Sequence, residues 1–299
     1  VAEQAGRVTL GDVELHYAWS GRASGPLLVF VNGLLTDATS WAAHVPHFAD
    51  YRCLTWDCRG QGRSSKPPQQ RYAVAEHAHD LLALLDALVP GEAVSLVGLS
   101  NGGAAALHVA SLQPARVRGL VIAGAYARTD VALRLKLQAW LAAMQAGGAA
   151  LRFDVAVPWV WGPRFLAEHV EQLASWRERG LALDLGAAGR LIAGAIEHAL
   201  DDAALARITA PTLVMVGEHD VLTPPWMAEV IAAAIPVSRL ACMAGLGHAL
   251  ALEDVAGFCR HARRWLDPLQ PVGALAGAGG SAASDGAVAS DGAGSAGAT

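Results

Sequence analysis

The sequence predicts an α/β fold: a mostly parallel, eight-stranded sheet flanked by helices, with one helical cap insertion. Three observations predict it. Short apolar runs that end in turn residues alternate with segments of helical periodicity. Several of the runs are apolar throughout, as strands buried on both faces must be. One long helix-forming interval then breaks the alternation. Of the 299 residues, 53% are hydrophobic and 16% charged, which supplies a large core and excludes a disordered chain.

The elements follow in order. Arg7–Leu10 and Glu14–Trp19 flank Gly11-Asp12 and read as a hairpin. Further strands are expected at Leu27–Val31, Arg52–Asp57, Val94–Leu99, Gly119–Ala123, Thr212–Val216 and Arg239–Cys242. Between them, Val74, His77, Leu81, Leu84, Leu85 and Leu88 recur at three- and four-residue steps, as do Val255, Phe258, Cys259, Ala262, Trp265 and Leu266. Each set gives a helix one buried face. The interval from Arg128 to Arg207 is too long for a simple crossover and holds Trp140, Trp159, Trp161, Trp176, Phe153 and Phe165. We read residues 1–127 and 208–270 as the core, 128–207 as a helical cap over a cleft, and 271–299 as a disordered Gly/Ala/Ser tail with nothing bulky to pack.

Composition excludes several classes of function. Net charge is −5, and the longest basic run is Arg263-Arg264, so no footprint for nucleic acid or an anionic membrane is present. The apolar runs are too short to span a bilayer, and the N-terminus lacks a signal pattern; the chain reads as soluble and cytoplasmic. Cys53, Cys58, Cys242 and Cys259 lie mostly in apolar segments without CxxC spacing and read as buried reduced thiols rather than disulfides or a zinc site. His44 with His47, or His77 with His79, lack the HExxH or Cys/His context of a metal site, so no metal is expected and these side chains are assigned surface or cap roles. Neither a complete GxGxxG nor a GxxxxGK[ST] occurs, and no cofactor is expected.

The chemistry is concentrated at Gly98-Leu99-Ser100-Asn101-Gly102, a GxSxG run between a strand and an Ala-rich helix. A serine on such a turn is pushed out of the sheet, and the flanking glycines admit close backbone. Serine at its ordinary pKa is a poor nucleophile and needs a base and a carboxylate downstream. Asp220 follows one strand within Gly217–Pro224 and His248 follows the next within Gly245–Ala249, both at the strand ends where open sheets gather their active groups. Glu218 and His219 compete with Asp220; Asp220 is preferred as the partner that a histidine base at 248 requires. The loop Asn32-Gly33-Leu34-Leu35-Thr36-Asp37 after a buried strand supplies a backbone N–H at Leu34, and Asn101 supplies a second, for an oxyanion.

These residues, with Asp57-Cys58-Arg59-Gly60-Gln61-Gly62-Arg63-Ser64 after the fourth strand, make the chain resemble the α/β-hydrolase superfamily from about Arg7 to Leu266. The resemblance implies a serine hydrolase with a helical cap after the sixth core strand. The usual His-Gly of the oxyanion loop is Asn32-Gly33 here, and Asn32–Asp37 resembles the corresponding loop of 3-oxoadipate enol-lactonases. Asp57 and Arg59 read as loop braces. The expected activity is cleavage of a small apolar or moderately polar carboxylic ester, lactone or thioester through an acyl-enzyme, with Ser100, His248 and Asp220 catalytic and Leu34 and Asn101 holding the oxyanion. Trp140, Phe153, Trp159, Trp161 and Phe165 are expected to line the substrate cleft. Arg134, Arg152, Arg164 and Arg177 are assigned to the outer faces of cap helices. The alternatives are the same three residues used for C–C hydrolysis, perhydrolysis or acyl transfer, and a non-catalytic ligand-binding protein on the same fold.

Overall fold

A computed structural model of the protein describes Gln4–Leu275. Eight strands, β1 (Gln4–Leu10), β2 (Val13–Gly21), β3 (Leu27–Val31), β4 (Arg52–Trp56), β5 (Val94–Leu99), β6 (Val117–Ala123), β7 (Thr212–Gly217) and β8 (Ser238–Met243), form one sheet in the order β1-β2-β4-β3-β5-β6-β7-β8. β1 and β2 pair antiparallel, as do β2 and β4; every later pairing is parallel. The β1–β2 hairpin turns at Gly11, where φ is +61°, a value that favours glycine.

The period-two alternation of the inner strands divides the core into two layers. Leu27, Val29 and Val31 of β3, with Leu96 of β5 and Ile122 of β6, join one cluster. That layer is completed by α1 (Val74–Leu88) and the Ala-rich α2 (Asn101–Leu112). Leu28 and Phe30, with Val97 and Val121, join the other, where Trp41, Phe48 and Phe258 pack. Burying each such side chain contributes about 1.5–3 kcal/mol. Edge strand β8 is largely exposed, with Leu240 at its surface, and Cys242 there is exposed where a buried thiol is expected; Cys53, Cys58 and Cys259 are buried.

Five helices lie between β6 and β7: α3 (Val131–Val160), α4 (Pro163–Glu168), α5 (Leu173–Gly180), α6 (Leu185–Ile196) and α7 (Asp202–Ala206). α3 is broken at Gly147 and at Gly148, whose φ of 65° and ψ of −155° lie in a region open almost only to glycine. The chain then returns through β7 to α8 (Pro225–Ala234), β8, α9 (Leu250–Glu253) and α10 (Val255–Leu266). Among the described residues no helix is long and apolar enough to cross a membrane.

Three expectations change. The strands extend a residue or two beyond the sequence reading at β6, β7 and β8, and β4 stops at Trp56 because Asp57 turns inward to cap backbone N–H groups. The tail assigned from residue 271 begins with a packed turn: the Ala274 N–H donates to the Pro271 carbonyl, Arg22 donates to the Ala274 carbonyl, and Leu275 packs on the core. Leu275 is the last leucine in the sequence, and residues 276–299 lie outside the described residues. His44 and His77 are not surface groups but buried ones; His44 Nε2 lies 2.8 Å from the Ala251 carbonyl.

Burial holds His77 and His198 neutral, pushing each down to about 3, and lowers the neighbouring His108 to about 4. In the unfolded chain these rings protonate near pH 6.5. Their contribution to stability is therefore complete above pH 6.5 and is lost as pH falls towards the folded-state values. Urea unfolding should show stability declining below pH 6.5 by up to about 1.4 kcal/mol per pH unit for each ring. A native-state NMR titration in which the His77 ring protonates above pH 5 would contradict this.

Candidate active site

Ser100 stands between β5 and α2 with φ 54° and ψ −120°, a left-handed conformation that costs a non-glycine residue of the order of 1–3 kcal/mol. Packing enforces it. A Cβ on Gly98 would lie 2.7 Å from the Gly102 carbonyl, and one on Gly102 would lie 2.3 Å from the carbonyls of Val31 and Asn32. Only glycines at both positions let α2 start directly above the sheet. The Ser100 N–H donates to the Ala123 carbonyl at 2.7 Å, tying the turn to β6.

His248 arrives from the loop after β8, and its Nε2 lies 2.9 Å from Ser100 Oγ. Its Nδ1 lies 2.9 Å from Asp220 Oδ2. Asp220 is buried, and its other oxygen accepts the N–H groups of Leu222 and Thr223 at 2.9 and 2.8 Å. Glu218 and His219 point to solvent, and Glu218 accepts the Gly245 N–H instead. With Nδ1 protonated towards Asp220, Nε2 is left as the acceptor for the serine proton.

The backbone N–H groups of Leu34 and Asn101 have no acceptor among the described residues, and both residues line the same cavity as Ser100 and His248. The loop that presents Leu34 is strained at the next residue, where Leu35 has φ 60°. It is braced from below. Asn32 is buried and accepts Trp41 Nε1 at 3.0 Å while donating to the Trp56 carbonyl at 2.8 Å, which accounts for an amide where the usual loop has histidine. Gln61 Nε2 donates to the Gly33 carbonyl at 2.8 Å. That carbonyl shares a peptide plane with the Leu34 N–H, so Gln61 fixes its direction.

Four contributors were not legible as site residues. Besides Gln61 there is Thr223, whose hydroxyl lies 2.9 Å from the Gly124 carbonyl and from Asp220 Oδ2, and 3.0 Å from His248 Nδ1. Tyr126 donates to Asn101 Oδ1 at 2.9 Å and holds that residue in place. Glu253 accepts the N–H groups of Gly162, after α3, and Gly247, next to His248, at 3.1 and 3.0 Å. Burial pushes the Glu253 carboxyl up, with the two N–H groups and His248 opposing. A Thr a few residues after an acidic candidate was the only one of these with a sequence signal. Asp57 and Arg59 are braces as expected: Asp57 accepts the Ala38 and Arg63 N–H groups, and Arg59 grips Asp80 through two contacts of 2.6 Å.

The cavity over Ser100 has a volume of about 150 Å³ and is walled mainly by apolar side chains, Leu133, Leu137, Trp140, Val160, Trp161 and Leu252 among them. The predicted aromatic set divides. Trp140 and Trp161 line this cavity, whereas Trp159, Phe153 and Phe165 do not. Trp159 stacks on Trp140 from behind, and Phe165 stacks against Trp161, His169 and Trp176. Phe153 lies beside Gly180. These three glue helices together. Among the described residues no group of three or more His, Cys, Asp or Glu could hold a metal ion.

A family model for the alpha/beta hydrolase fold matches residues 26–255. The protein named "Putative carbamate hydrolase RutD" from Variovorax paradoxus is 30% identical over 249 residues, spanning 82% of this chain and 93% of its own. The "3-oxoadipate enol-lactonase 2" of Acinetobacter baylyi is 31% identical over 224 residues, spanning 72% of this chain and 79% of its own. Among solved structures, a thermophilic esterase from Thermogutta terrifontis superposes with a TM-score of 0.79 at 25% identity, over 90% of this chain and all of that one.

The geometry separates the two acidic candidates experimentally. Labelling of Ser100 by a fluorophosphonate should slow by at least about tenfold in Asp220→Asn, which leaves the imidazole without its carboxylate. Glu218→Gln should label at the wild-type rate. The reverse order would reassign the acid.

Proposed function

This chain belongs to the α/β hydrolase fold family, and on that premise we propose that it is a serine hydrolase cleaving a small carboxylic ester, lactone or thioester through an acyl-enzyme. The observation that carries the reading is the unbroken line of contacts from Ser100 Oγ through His248 to Asp220, beside two unpartnered N–H groups. Ser100 Oγ attacks the carbonyl carbon while His248 Nε2 takes its proton. The carbonyl oxygen becomes an oxyanion and is met by the N–H groups of Leu34 and Asn101, each worth roughly 10²–10³ in rate in comparable sites. His248 then returns the proton to the leaving oxygen or sulfur, leaving Ser100 acylated. Water, deprotonated by the same nitrogen, releases the acid.

Asp220 acts by orientation and charge, holding the tautomer and stabilising the imidazolium. Thr223 and Gln61 act one step further out, on the imidazole and on the Leu34 peptide. We assign residues 128–207 as the cap unit over a core of 1–127 and 208–270, with substrate held between them. The named relatives bear on the leaving group. An enol-lactone and a carbamate both present a carbonyl carbon open to the same attack, so carbamates form the second substrate class worth assay.

Ser100→Ala and His248→Ala should each lower kcat by about 10⁴-fold or more, with circular dichroism unchanged. Against p-nitrophenyl esters, each added acyl methylene buried in the apolar cavity gains about 0.8 kcal/mol, roughly fourfold in kcat/KM. A cavity of about 150 Å³ accepts a group of about the bulk of a benzene ring. The series should therefore rise from acetate to butyrate or hexanoate and fall by decanoate. A flat series would show that the acyl chain lies elsewhere.

A further inference from the structure

A second cavity, of about 470 Å³, opens beside the first, and Thr36 lines both. Its walls come from the loops after β3 and β4 and from the inserted helices α3, α5 and α6. Four cations line it: Arg63 and Lys66 from the core, Arg152 from the second half of α3, and Arg179 from α5. None of them forms an ion pair among the described residues. Lys66 donates only to the Gly62 carbonyl, at 3.3 Å, and Arg179 to Ser175 Oγ, at 2.6 Å.

Three carboxylates also face the cavity, and backbone already occupies them. Asp57 accepts the Ala38 and Arg63 N–H groups and contacts His16 Nδ1 at 3.3 Å. Asp37 accepts the Thr39 N–H, and Asp184 accepts the Ala187 N–H at the start of α6. None turns to an arginine.

Arg152 departs from the other cap arginines. Arg134 is exposed, Arg164 is exposed and pairs with Glu168, and Arg177 pairs with Asp154. The Arg152 side chain makes no hydrogen bond among the described residues, and its Nε is buried without an acceptor. Burial alone lowers its pKa, with no carboxylate opposing. A buried guanidinium N–H with no acceptor is costly, and the cavity that Arg152 lines is where a partner would enter.

We propose that this cavity binds the carboxylate or phosphate group of a small anionic molecule, with the planar fork of Arg152 as its principal donor and Arg63, Lys66 and Arg179 supplying the surrounding positive field. The planar guanidinium matches two oxygens of either group. The cavity has room for a molecule of metabolite size. Cations from the core and from the inserted helices face the same space, so one anion bridges the two. The site is independent of turnover at Ser100.

The test is isothermal titration of the full chain at low ionic strength, with succinate and inorganic phosphate as separate probes, in wild type and in Ser100→Ala. Saturable one-to-one binding of at least one probe is expected in both proteins, and the stronger probe identifies the group. Arg152→Met should weaken that binding by about tenfold or more, the scale of a charged hydrogen bond. Arg179→Met, at an exposed position, should weaken it about two- to threefold, and Arg134→Met not at all. Hydrolysis of p-nitrophenyl butyrate should stay within about twofold in Arg152→Met, separating this site from the proposed acyl chemistry. No saturable binding of either probe, or equal binding by wild type, Arg152→Met and Arg179→Met, overturns the proposal.

Discussion

The close approach of α2 to the ends of β3 and β5 is the constraint on which the rest depends. Gly102 rests on the carbonyls of Val31 and Asn32, and Gly98 on the first turn of α2. Any side chain at either position would lift the helix. That contact holds Ser100 at positive φ, sets Asn101 at the wall of the cavity over Ser100, and brings the loop after β3 alongside. The strain at Ser100 is small beside the burial of the layers that enforce it, where the inner strands are buried along their whole length.

A second clasp fixes His248. The loop carrying His248 is pinned to the end of α3 by the Ala249 N–H on the Val160 carbonyl at 2.9 Å, and by Glu253, which holds Gly162 and Gly247 together. The backbones touch there: a Cβ on Gly247 would lie 2.3 Å from the Gly162 nitrogen. The inserted helices thus position the imidazole as well as roofing the cavity. These contacts tie the end of α3 to the residues on both sides of His248.

Much of this was legible in the sequence, and the boundary follows physical lines. Strands such as Leu27–Val31 and Val94–Leu99 were readable because burial on both faces leaves only apolar residues. Ser100 and His248 were readable as candidates because each sits among glycines at a strand end, whereas Asp220 competed in its loop with Glu218 and His219. Gln61, Tyr126 and Glu253 were not, because each acts through a contact distant in sequence with a backbone or amide group. The aromatic residues of the insertion were misjudged for a related reason. Composition distinguishes apolar from polar, but it does not tell Trp161, at the cavity wall, from Phe165, stacked behind it. The interval 128–207 reads as helix-forming without resolving its helices, and the break at Gly147-Gly148 shows only in the backbone.

That break explains how one element serves two chemically different cavities. The first half of α3 points Leu133, Leu137 and Trp140 at the space over Ser100, and an uninterrupted helix would carry its next turns along the same line. The turn at Gly148 re-aims the second half, so that Arg152 faces the cationic cavity while Val160 and Trp161 return to the apolar one. The two spaces stay distinct because their walls differ in what they ask of a ligand. One offers apolar surface and two aimed N–H groups, suited to a neutral carbonyl that becomes charged only in the transition state. The other offers permanent charge, suited to a group that is already an anion. In the acyl chemistry proposed for Ser100, a cavity wall without fixed cations would leave an oxyanion to the N–H groups of Leu34 and Asn101, whose dipoles would favour the transition state over an anionic ground state.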